Sequence, residues 1–411
     1  MDRLNQLSGQ LNPSSKQALL QKNPDDVVIV GAYRTAIAKG FKGSFKDVGS
    51  EYILTNFLKE FIKKTGVDPS LIEDVVMGNV LNPAAGATEH RGAALAAGIP
   101  YTAGFIAINR FCSSGLMAIS DVANKIRCGE IDCGLAGGVE SMSKNYGASI
   151  IPSVDPHLVN DPEMAKCLVP MGYTNENVAN KYNISRERQD EFSAVSYQKA
   201  EKAVRTGAFK DEILPIKSVL RNKDSNGNVV EKEIIVDTDE GPRPNVTPES
   251  LSKIKPAFGG CTHAGNASQI SDGAAAVLLM RRSVAEARGY EIQAKFVACS
   301  VVGVPPEIMG VGPAYAIPEV LKRTGLTIDD ITAYEVNEAF AAQALYSVEA
   351  CNIPKEKVNK NGGAIAIGHP LGVTGARQYA TILRLLNKGE IGLTSMCIGT
   401  GMGAASIVIR E

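Results

Sequence analysis

Residues 115–131 read GLMAISDVANKIRCGEI, and 260 positions later residues 375–391 read GARQYATILRLLNKGEI. Both stretches begin with glycine and end with the same three residues, Gly-Glu-Ile. Apolar residues also recur in both at the spacing of one helix face. The matched positions are Leu116 with Ala376, Ile119 with Tyr379, Val122 with Ile382, and Ile126 with Leu386. A helical stripe shared between matching ends favours a duplicated unit over chance similarity.

Short apolar runs and amphipathic stretches alternate around the first copy. The predicted strands are 26–31, 75–80, 105–110 and 133–139, and the predicted helices are 51–64 and 113–127. Strands separated by helices predict a mainly parallel sheet that is covered on both faces. We therefore predict an α/β fold of two βαβ-rich halves. Each half supplies one strand–turn–helix corner, at 109–115 and at 369–375.

The region between the halves has a different character. It contains polar loops, a predicted helix over 186–205 that Gly207 ends, and an Asn226-Gly227 turn between short arms. We interpret it as an inserted loop domain that covers a site. The predicted units are an N-terminal arm (1–24), a first half (25–144 plus 266–285), the loop domain (145–265) and a second half (286–411).

Composition excludes several classes of protein. The chain has 411 residues, 44% of them hydrophobic and 21% charged, which is ordinary for a globular protein with a large core. A net charge of -1 gives no reason to expect nucleic acid or an anionic membrane as partner. No apolar run is long enough to span a membrane. The eight cysteines show no CxxC pair, so neither a metal site nor a disulfide framework is expected.

The first candidate for chemistry is Cys112, within Asn109-Arg-Phe-Cys-Ser-Ser-Gly115. It would lie at or just before a helix N-terminus, where free N–H groups and the helix dipole lower the pKa of a thiol and stabilise an oxyanion. An isolated cysteine is more often buried and inert. The small neighbours at a strand–helix corner make a nucleophile an equal alternative.

The second candidate is His369, among the four glycines of residues 361–372. Glycines offer a histidine little packing, so a functional role is favoured over a histidine that caps a turn. The repeat aligns His369 with Asn109, three residues before the position that matches Cys112. If the corners of the two halves meet, His369 can approach Cys112, and a Cys–His pair activates a thiol nucleophile.

Two further segments end predicted strands in the second half. Cys397 precedes the turn Gly399-Thr-Gly401, and by itself it is most simply a buried structural thiol. Asn337 and Glu338 follow the apolar run 331–336, where they could form only a helix N-cap with an acidic first turn.

Taken together and in this order, these segments resemble the thiolase family over almost the whole chain from residue 26. Further segments carry the resemblance: Pro244-Asn-Val-Thr247, Gly265-Asn-Ala-Ser268, and residues 305–313. Within the family the likeness is closest to the fungal peroxisomal 3-ketoacyl-CoA thiolases. The resemblance implies the thiolase fold, a layered α-β-α-β-α core of duplicated halves with an inserted loop domain, and a homodimer.

It also implies the reaction, in which coenzyme A (CoA) cleaves 3-oxoacyl-CoA to acetyl-CoA and a shortened acyl-CoA. Cys112 would be the acyl-accepting nucleophile, His369 its base, and Cys397 the proton donor and acceptor. The thioester oxygen would lie between His369 and a water held by Asn337. The ketone oxygen would face the N–H groups of Cys112 and Gly399. CoA is a substrate in this scheme, and no cofactor is expected.

By the same resemblance, CoA contacts fall to four residues. Arg243 would contact the phosphate or adenosine, Ser268 the pantetheine amide, and Met171 and Phe258 the apolar walls. The segment Pro170-Met171-Gly172 departs from acetoacetyl-CoA thiolases, in which a histidine usually precedes the Met-Gly pair. This departure favours the class that accepts longer acyl chains.

Three alternatives remain at this point. An acetoacetyl-CoA thiolase would share the chemistry but restrict the acyl pocket. A ketoacyl-carrier-protein synthase would need two catalytic histidines in the second half, whereas His369 is the only histidine after residue 300. A noncatalytic acyl-CoA carrier would not need Cys112, His369 and Cys397 together.

The N-terminal arm predicts the compartment. In residues 3–11, five residues separate a basic and an aliphatic residue, Arg3 and Leu4, from Gln10 and Leu11. This spacing resembles the N-terminal peroxisomal targeting signal, and in a helix these side chains share one face that an import receptor could bind. A chance match is the alternative. Mitochondrial import fits less well, because the first 20 residues have an early acidic residue and only two basic ones, Arg3 and Lys16.

Overall fold

The computed structural model describes residues 16–147 and 153–411. Twelve strands lie within them: β1 Val27–Arg34, β2 Ala38–Lys39, β3 Asp74–Gly78, β4 Gly104–Ile108, β5 Cys133–Ser141, β6 Ile216–Lys223, β7 Val229–Val236, β8 Ser271–Arg281, β9 Ala294–Gly303, β10 Ala333–Val336, β11 Ile391–Ile398 and β12 Met402–Arg410. The arm's targeting pattern at 3–11 falls outside the described residues.

The same residues form fourteen α-helices: α1 Lys16–Leu20, α2 Ser50–Thr65, α3 Ala87–Ala96, α4 Ser114–Cys128, α5 Met142–Asn145, α6 Pro162–Cys167, α7 Met171–Lys181, α8 Arg186–Thr206, α9 Pro248–Ser252, α10 Arg282–Ala287, α11 Gly312–Thr324, α12 Ala341–Ala350, α13 Ala364–Ile367 and α14 Thr374–Leu385. Five short 3-10 helices complete the set: Pro69–Leu71, Pro83–Gly86, Pro306–Val311, Ile328–Asp330 and Lys355–Lys357. In the part of the chain that the structure covers, no helix is long and apolar enough to cross a bilayer.

The main sheet has the strand order β10-β11-β12-β9-β1-β8-β5-β3-β4, and β2 pairs with β8. Only β3 with β4, β3 with β5, and β10 with β11 are parallel pairs. The remaining neighbours are antiparallel, so the prediction of a mainly parallel sheet is wrong. The reason is connectivity: β12 follows β11 through a tight turn, and β8 returns from the inserted region, so neither needs a helical crossover.

The two halves of the sheet meet at β1 and β9, which pair at two positions: Val28 with Lys295 and Ile29 with Ala294. Side-chain alternation shows how the layers stack. On β8, Ala276 and Leu278 pack in the cluster that contains α2, whereas Val277 packs in the cluster that contains α4 and α14. On β12, Ala404 and Val408 face α4 and α14, whereas Ala405, Ile407 and Ile409 face α11. The order is therefore helix, sheet, helix, sheet, helix.

The duplicated stretches form the central helical layer. Helix α4 starts at Ser114 and α14 at Thr374, which preserves the 260-residue shift of the sequence repeat. Their first turns touch: a methyl group on Gly115 would lie 2.7 Å from the Gly372 carbonyl oxygen, and one on Gly375 would lie 2.3 Å from the Leu116 nitrogen. Glycine is required at both positions because the two corners meet here.

The inserted region is partly a cover and partly a core element. Its helix α8 spans Arg186–Thr206, and Tyr197 and Ala200 of this helix are buried in the same cluster as α2. The predicted Asn226-Gly227 turn joins β6 to β7, with Gly227 at φ 84°. The domain boundaries proposed from the sequence stay a prediction.

Candidate active site

Cys112 occupies a tight turn between β4 and α4. Phe111, the residue before it, has φ 46°, and the hydroxyl of Ser114 accepts a hydrogen bond from the Arg110 N–H at 2.9 Å. Ser114 also donates to the Phe111 carbonyl at 2.6 Å. The turn holds Cys112 two residues before Ser114, the first helical residue, which agrees with the predicted place near the helix N-terminus. Its side chain is nearly buried, with 9% of the residue exposed.

The Cys112 sulfur lies in a buried environment that contains backbone donors. The N–H groups of Gly399 and of Cys112 itself favour the thiolate, but burial outweighs them and raises the pKa of the thiol to about 11. The expectation that the helix start lowers this pKa is therefore wrong for the free enzyme. Because the neutral thiol is the resting form, a base must remove its proton when substrate is bound.

His369 is oriented by two hydrogen bonds. Thr374 Oγ1 lies 2.6 Å from Nδ1 and 3.2 Å from the Pro370 carbonyl oxygen, to which it donates. The Asn337 amide Nδ2 lies 3.3 Å from Nε2 and can only donate. Nδ1 therefore carries the proton, and the Nε2 lone pair can accept one. Burial, aided by the positive charge of Arg377, lowers the pKa of His369 to about 3 and keeps the ring neutral.

Cys397 is fully buried near the end of β11. Its Sγ donates to Gln343 Oε1 at 2.8 Å. Burial raises the pKa of this thiol well above its usual value, and the neighbouring Cys112 adds to the increase. The two cysteines are therefore within electrostatic reach of each other, and both are neutral at rest.

Asn337 follows β10, which pairs in parallel with β11. Its N–H donates to the Ser395 carbonyl at 2.8 Å, so Asn337 and Cys397 lie at the same edge of the sheet. Its Oδ1 is buried and accepts no hydrogen bond from the residues that the structure describes. That oxygen can accept a hydrogen bond from a water or ligand.

Gly399 forms a turn with Thr400 and Gly401, at φ 66° and 90°. A methyl group on Gly399 would lie 2.8 Å from the Met171 side chain and 3.4 Å from the Phe111 ring. The structure therefore places Met171, the first residue of α7, against the turn that carries the Gly399 N–H.

The other candidate CoA residues surround the same region. The ring of Phe258 packs on the start of α7, 5.4 Å from the ring of Tyr173 between centroids. Half-buried Ser268 donates its backbone N–H to the Ala339 carbonyl at 2.9 Å. Ala339 lies two residues after Asn337 in the chain. Arg243 is exposed, on a loop whose Gly241 packs against residues 366–367 just before His369.

Three residues were missed by the sequence reasoning. Thr374, which orients His369, has a partial signal, because the repeat aligns it with Ser114, another hydroxyl at a helix start. Gln343 has none, since it meets Cys397 across 54 residues. Glu140 accepts hydrogen bonds from the Gly372, Val80 and Leu81 N–H groups and so joins the second corner to the loop that follows β3.

The site therefore holds two thiols, a neutral imidazole whose Nε2 can accept a proton, and backbone donors at the Cys112 sulfur. This set can transfer an acyl group through a cysteine and move a proton through a second one. Across residues 16–147 and 153–411 there is no cluster of three or more metal-ligating side chains.

Comparison with known proteins gives consistent matches. The thiolase N-terminal domain family matches residues 27–283, and the thiolase C-terminal domain family matches residues 290–410. The chain is 75% identical over 412 residues to the peroxisomal 3-ketoacyl-CoA thiolase A of Candida tropicalis, with 100% of both chains covered. It is 58% identical to the peroxisomal 3-ketoacyl-CoA thiolase of Saccharomyces cerevisiae, covering 96% of this chain and 94% of that protein.

Solved structures agree with the fold. The crystal structure of the dimeric peroxisomal thiolase of Saccharomyces cerevisiae superposes with a TM-score of 0.90 at 59% identity, covering 96% of this chain and 100% of that one. A second structure of the yeast enzyme (TM-score 0.80, 55% identity, covering 95% and 100%) is described as five-layered, from two core domains of identical topology. The predicted layered, duplicated α/β fold is confirmed.

Proposed function

This chain belongs to the thiolase family, and on that premise we propose that it cleaves 3-oxoacyl-CoA with CoA through an acyl-cysteine intermediate on Cys112. The enzyme is an acyltransferase, and the reaction is the thiolytic step of fatty-acid β-oxidation. The observation that carries the residue assignment is that Cys397 and the Gly399 N–H lie next to Cys112 at the first corner.

In the first step His369 Nε2 accepts the Cys112 proton, and the sulfur attacks the ketone carbon of the substrate. The neutral ring suits this task, because a protonated imidazole could not accept the proton. Exchange of one thioester for another is nearly balanced in energy, so Cys112 can take an acyl group and later release it to CoA. A serine ester would be a deeper trap.

Cleavage of the Cα–Cβ bond leaves the bond's electron pair on the carbon that becomes the methyl of acetyl-CoA. We assign its protonation to Cys397. The Cys397 thiolate that remains then takes the proton of the incoming CoA thiol, and CoA attacks the acyl group on Cys112. The raised pKa of Cys397 supports this role, because the donor must be protonated at rest.

Two oxyanion sites are needed. The N–H groups at the Cys112 sulfur, from Cys112 and Gly399, suit the oxygen of the former ketone. The thioester oxygen would lie by His369 and a water that donates to Asn337 Oδ1, which has no partner within the described chain. Loss of one such donor costs about 10²–10³-fold in rate.

We assign CoA binding to the loop region, through Arg243, Ser268, Met171 and Phe258. Met171 lies against Gly399, and Ser268 bonds to Ala339. These positions support binding of the thioester end of the substrate between the loop region and Cys112. No cofactor enters this scheme, since CoA is consumed as a substrate.

The relatives also bear on location and assembly. The Candida and yeast enzymes are named peroxisomal, and one yeast structure is described as dimeric. We place this chain in the peroxisome as a homodimer. The import receptor would recognise residues 3–11, whose sequence pattern supports that assignment.

A kinetic series tests the function. Purified protein is given CoA and 3-oxoacyl-CoA substrates of four to sixteen carbons, and acetyl-CoA formation is measured by mass spectrometry. Turnover across the longer chains is expected. Turnover of the four-carbon substrate alone would indicate an acetoacetyl-CoA thiolase, and binding without any turnover would indicate a carrier.

A further inference from the structure

Gln343 lies on α12, fully buried, between Cys397 and the loop that carries Asn337. Its Nε2 donates to the Asn337 carbonyl oxygen at 3.2 Å, and its Oε1 lies 2.8 Å from Cys397 Sγ. The backbone N–H of Gln343 donates to Asn175 Oδ1 at 3.3 Å. Both ends of the amide are therefore occupied, which fixes the side chain in one orientation.

The orientation has a chemical consequence for the thiol. A carbonyl oxygen can only accept a hydrogen bond, so the Asn337 carbonyl must face the NH₂ end of Gln343. The Gln343 oxygen then has to face Cys397, and it favours S–H over S⁻, because an amide oxygen stabilises a donor and repels an anion.

The backbone of the neighbouring 3-10 helix packs closely against Gln343. A methyl group on Gly310 would lie 2.5 Å from the Gln343 Cβ, so the 3-10 helix Pro306–Val311 can pack here only with glycine at that position. Met309 of the same helix packs with Cys397 in one small apolar cluster.

We propose that Gln343 is a positioning residue for the second cysteine: it holds Cys397 protonated and fixes the direction of its S–H. This inference rests on the role given to Cys397 above. In thiolysis the S–H proton goes to the carbanion carbon of acetyl-CoA, where the electron pair of the broken Cα–Cβ bond forms the new C–H bond. Sulfur is left as thiolate and regains a proton from CoA.

Two part-reactions separate this role from general support of the fold. Acyl loading of Cys112 from acetyl-CoA depends only weakly on the Cys397 proton, because the CoA thiolate that leaves is stable in water without it. Exchange of the acetyl-CoA methyl protons with D₂O depends strongly on Cys397, which must take a proton from carbon and return a deuteron. Gln343→Met keeps an unbranched side chain of similar size but removes both polar ends. We expect it to slow exchange by about 10–100-fold and to change acyl loading by less than about threefold.

Gln378→Met is the matched control. Gln378 is also fully buried, and its Nε2 donates to the Glu335 and Ser395 carbonyls at 3.0 and 3.4 Å, on the strands that flank the site. Loss of a buried amide there should leave the ratio of exchange to loading unchanged. Loading is followed by acid quench with labelled acetyl-CoA, and exchange by mass spectrometry.

Cys397→Ala in the same assays separates the role of Gln343 from the role of Cys397. Loss of exchange in Cys397→Ala and in Gln343→Met, with loading retained, supports the inference. Loss in Cys397→Ala but wild-type exchange in Gln343→Met overturns the role of Gln343 alone. Equal losses of loading and exchange in Gln343→Met also overturn it, because they indicate structural support. Exchange that survives in Cys397→Ala overturns the assignment of Cys397 itself.

Discussion

Thr374→Val tests how His369 is prepared as a base. Valine keeps the branched shape of threonine but removes the hydroxyl that lies 2.6 Å from His369 Nδ1. The Nδ1–H would then be buried without a partner, which costs about 1–3 kcal/mol. If the ring moves its proton to Nε2 instead, Nε2 can no longer accept the Cys112 proton. Either outcome corresponds to about a 5- to 150-fold slower acylation of Cys112.

The assay is the single-turnover rate of acyl transfer from acetyl-CoA to Cys112, with thermal unfolding measured in parallel. Thr374→Ser is the matched control, because it keeps the hydroxyl and should stay within about threefold of wild type. Acylation by Thr374→Val at the wild-type rate would refute the reasoning. So would a loss in Thr374→Ser as large as that in Thr374→Val, because the hydroxyl would then not be the cause.

Three further predictions follow. Cys397→Ala should slow Claisen cleavage by about 10²–10⁴-fold while acyl loading survives, and equal losses would assign Cys397 a structural role. Iodoacetamide reacts with Cys112 in its thiolate form, and burial raises the pKa of this thiol to about 11. The rate of Cys112 alkylation in the free enzyme should therefore rise steadily between pH 7 and 9, and a plateau below pH 8 would show a preformed thiolate–imidazolium pair. Residues 1–20 should direct a fluorescent reporter to peroxisomes, and changing Leu4 and Leu11 to Arg should abolish this import; a cytosolic reporter, or import that survives the change, would contradict the targeting prediction.

The sequence determines the local features of the site. The repeat aligns Ser114 with Thr374, and both residues begin helices in the structure, so the two corners could be located from periodicity and glycine spacing alone. Cys112 is correctly placed at the helix start for the same reason. These features depend on residues close together in the chain.

What the sequence does not determine depends on distant contacts. The direction of β8 depends on where the inserted region returns to the sheet, and no local pattern records it. The pKa of Cys112 is raised because the folded protein buries the thiol, and burial depends on residues far away in the chain, so the local helix-start argument predicts the wrong direction. Gln343 was missed because its contact with Cys397 forms only in the folded protein.

The central claim is that Cys112 carries the acyl group during turnover. The most direct measurement is acid quench of the enzyme with a labelled 3-oxoacyl-CoA, followed by peptide mass spectrometry, with Cys112→Ala as the control. We predict that the shortened acyl group is found on the peptide that contains Cys112 in the wild type, and on no peptide of a folded Cys112→Ala variant. An acyl group on a peptide that lacks Cys112, or thiolysis by folded Cys112→Ala at a rate close to that of the wild type, would contradict the account.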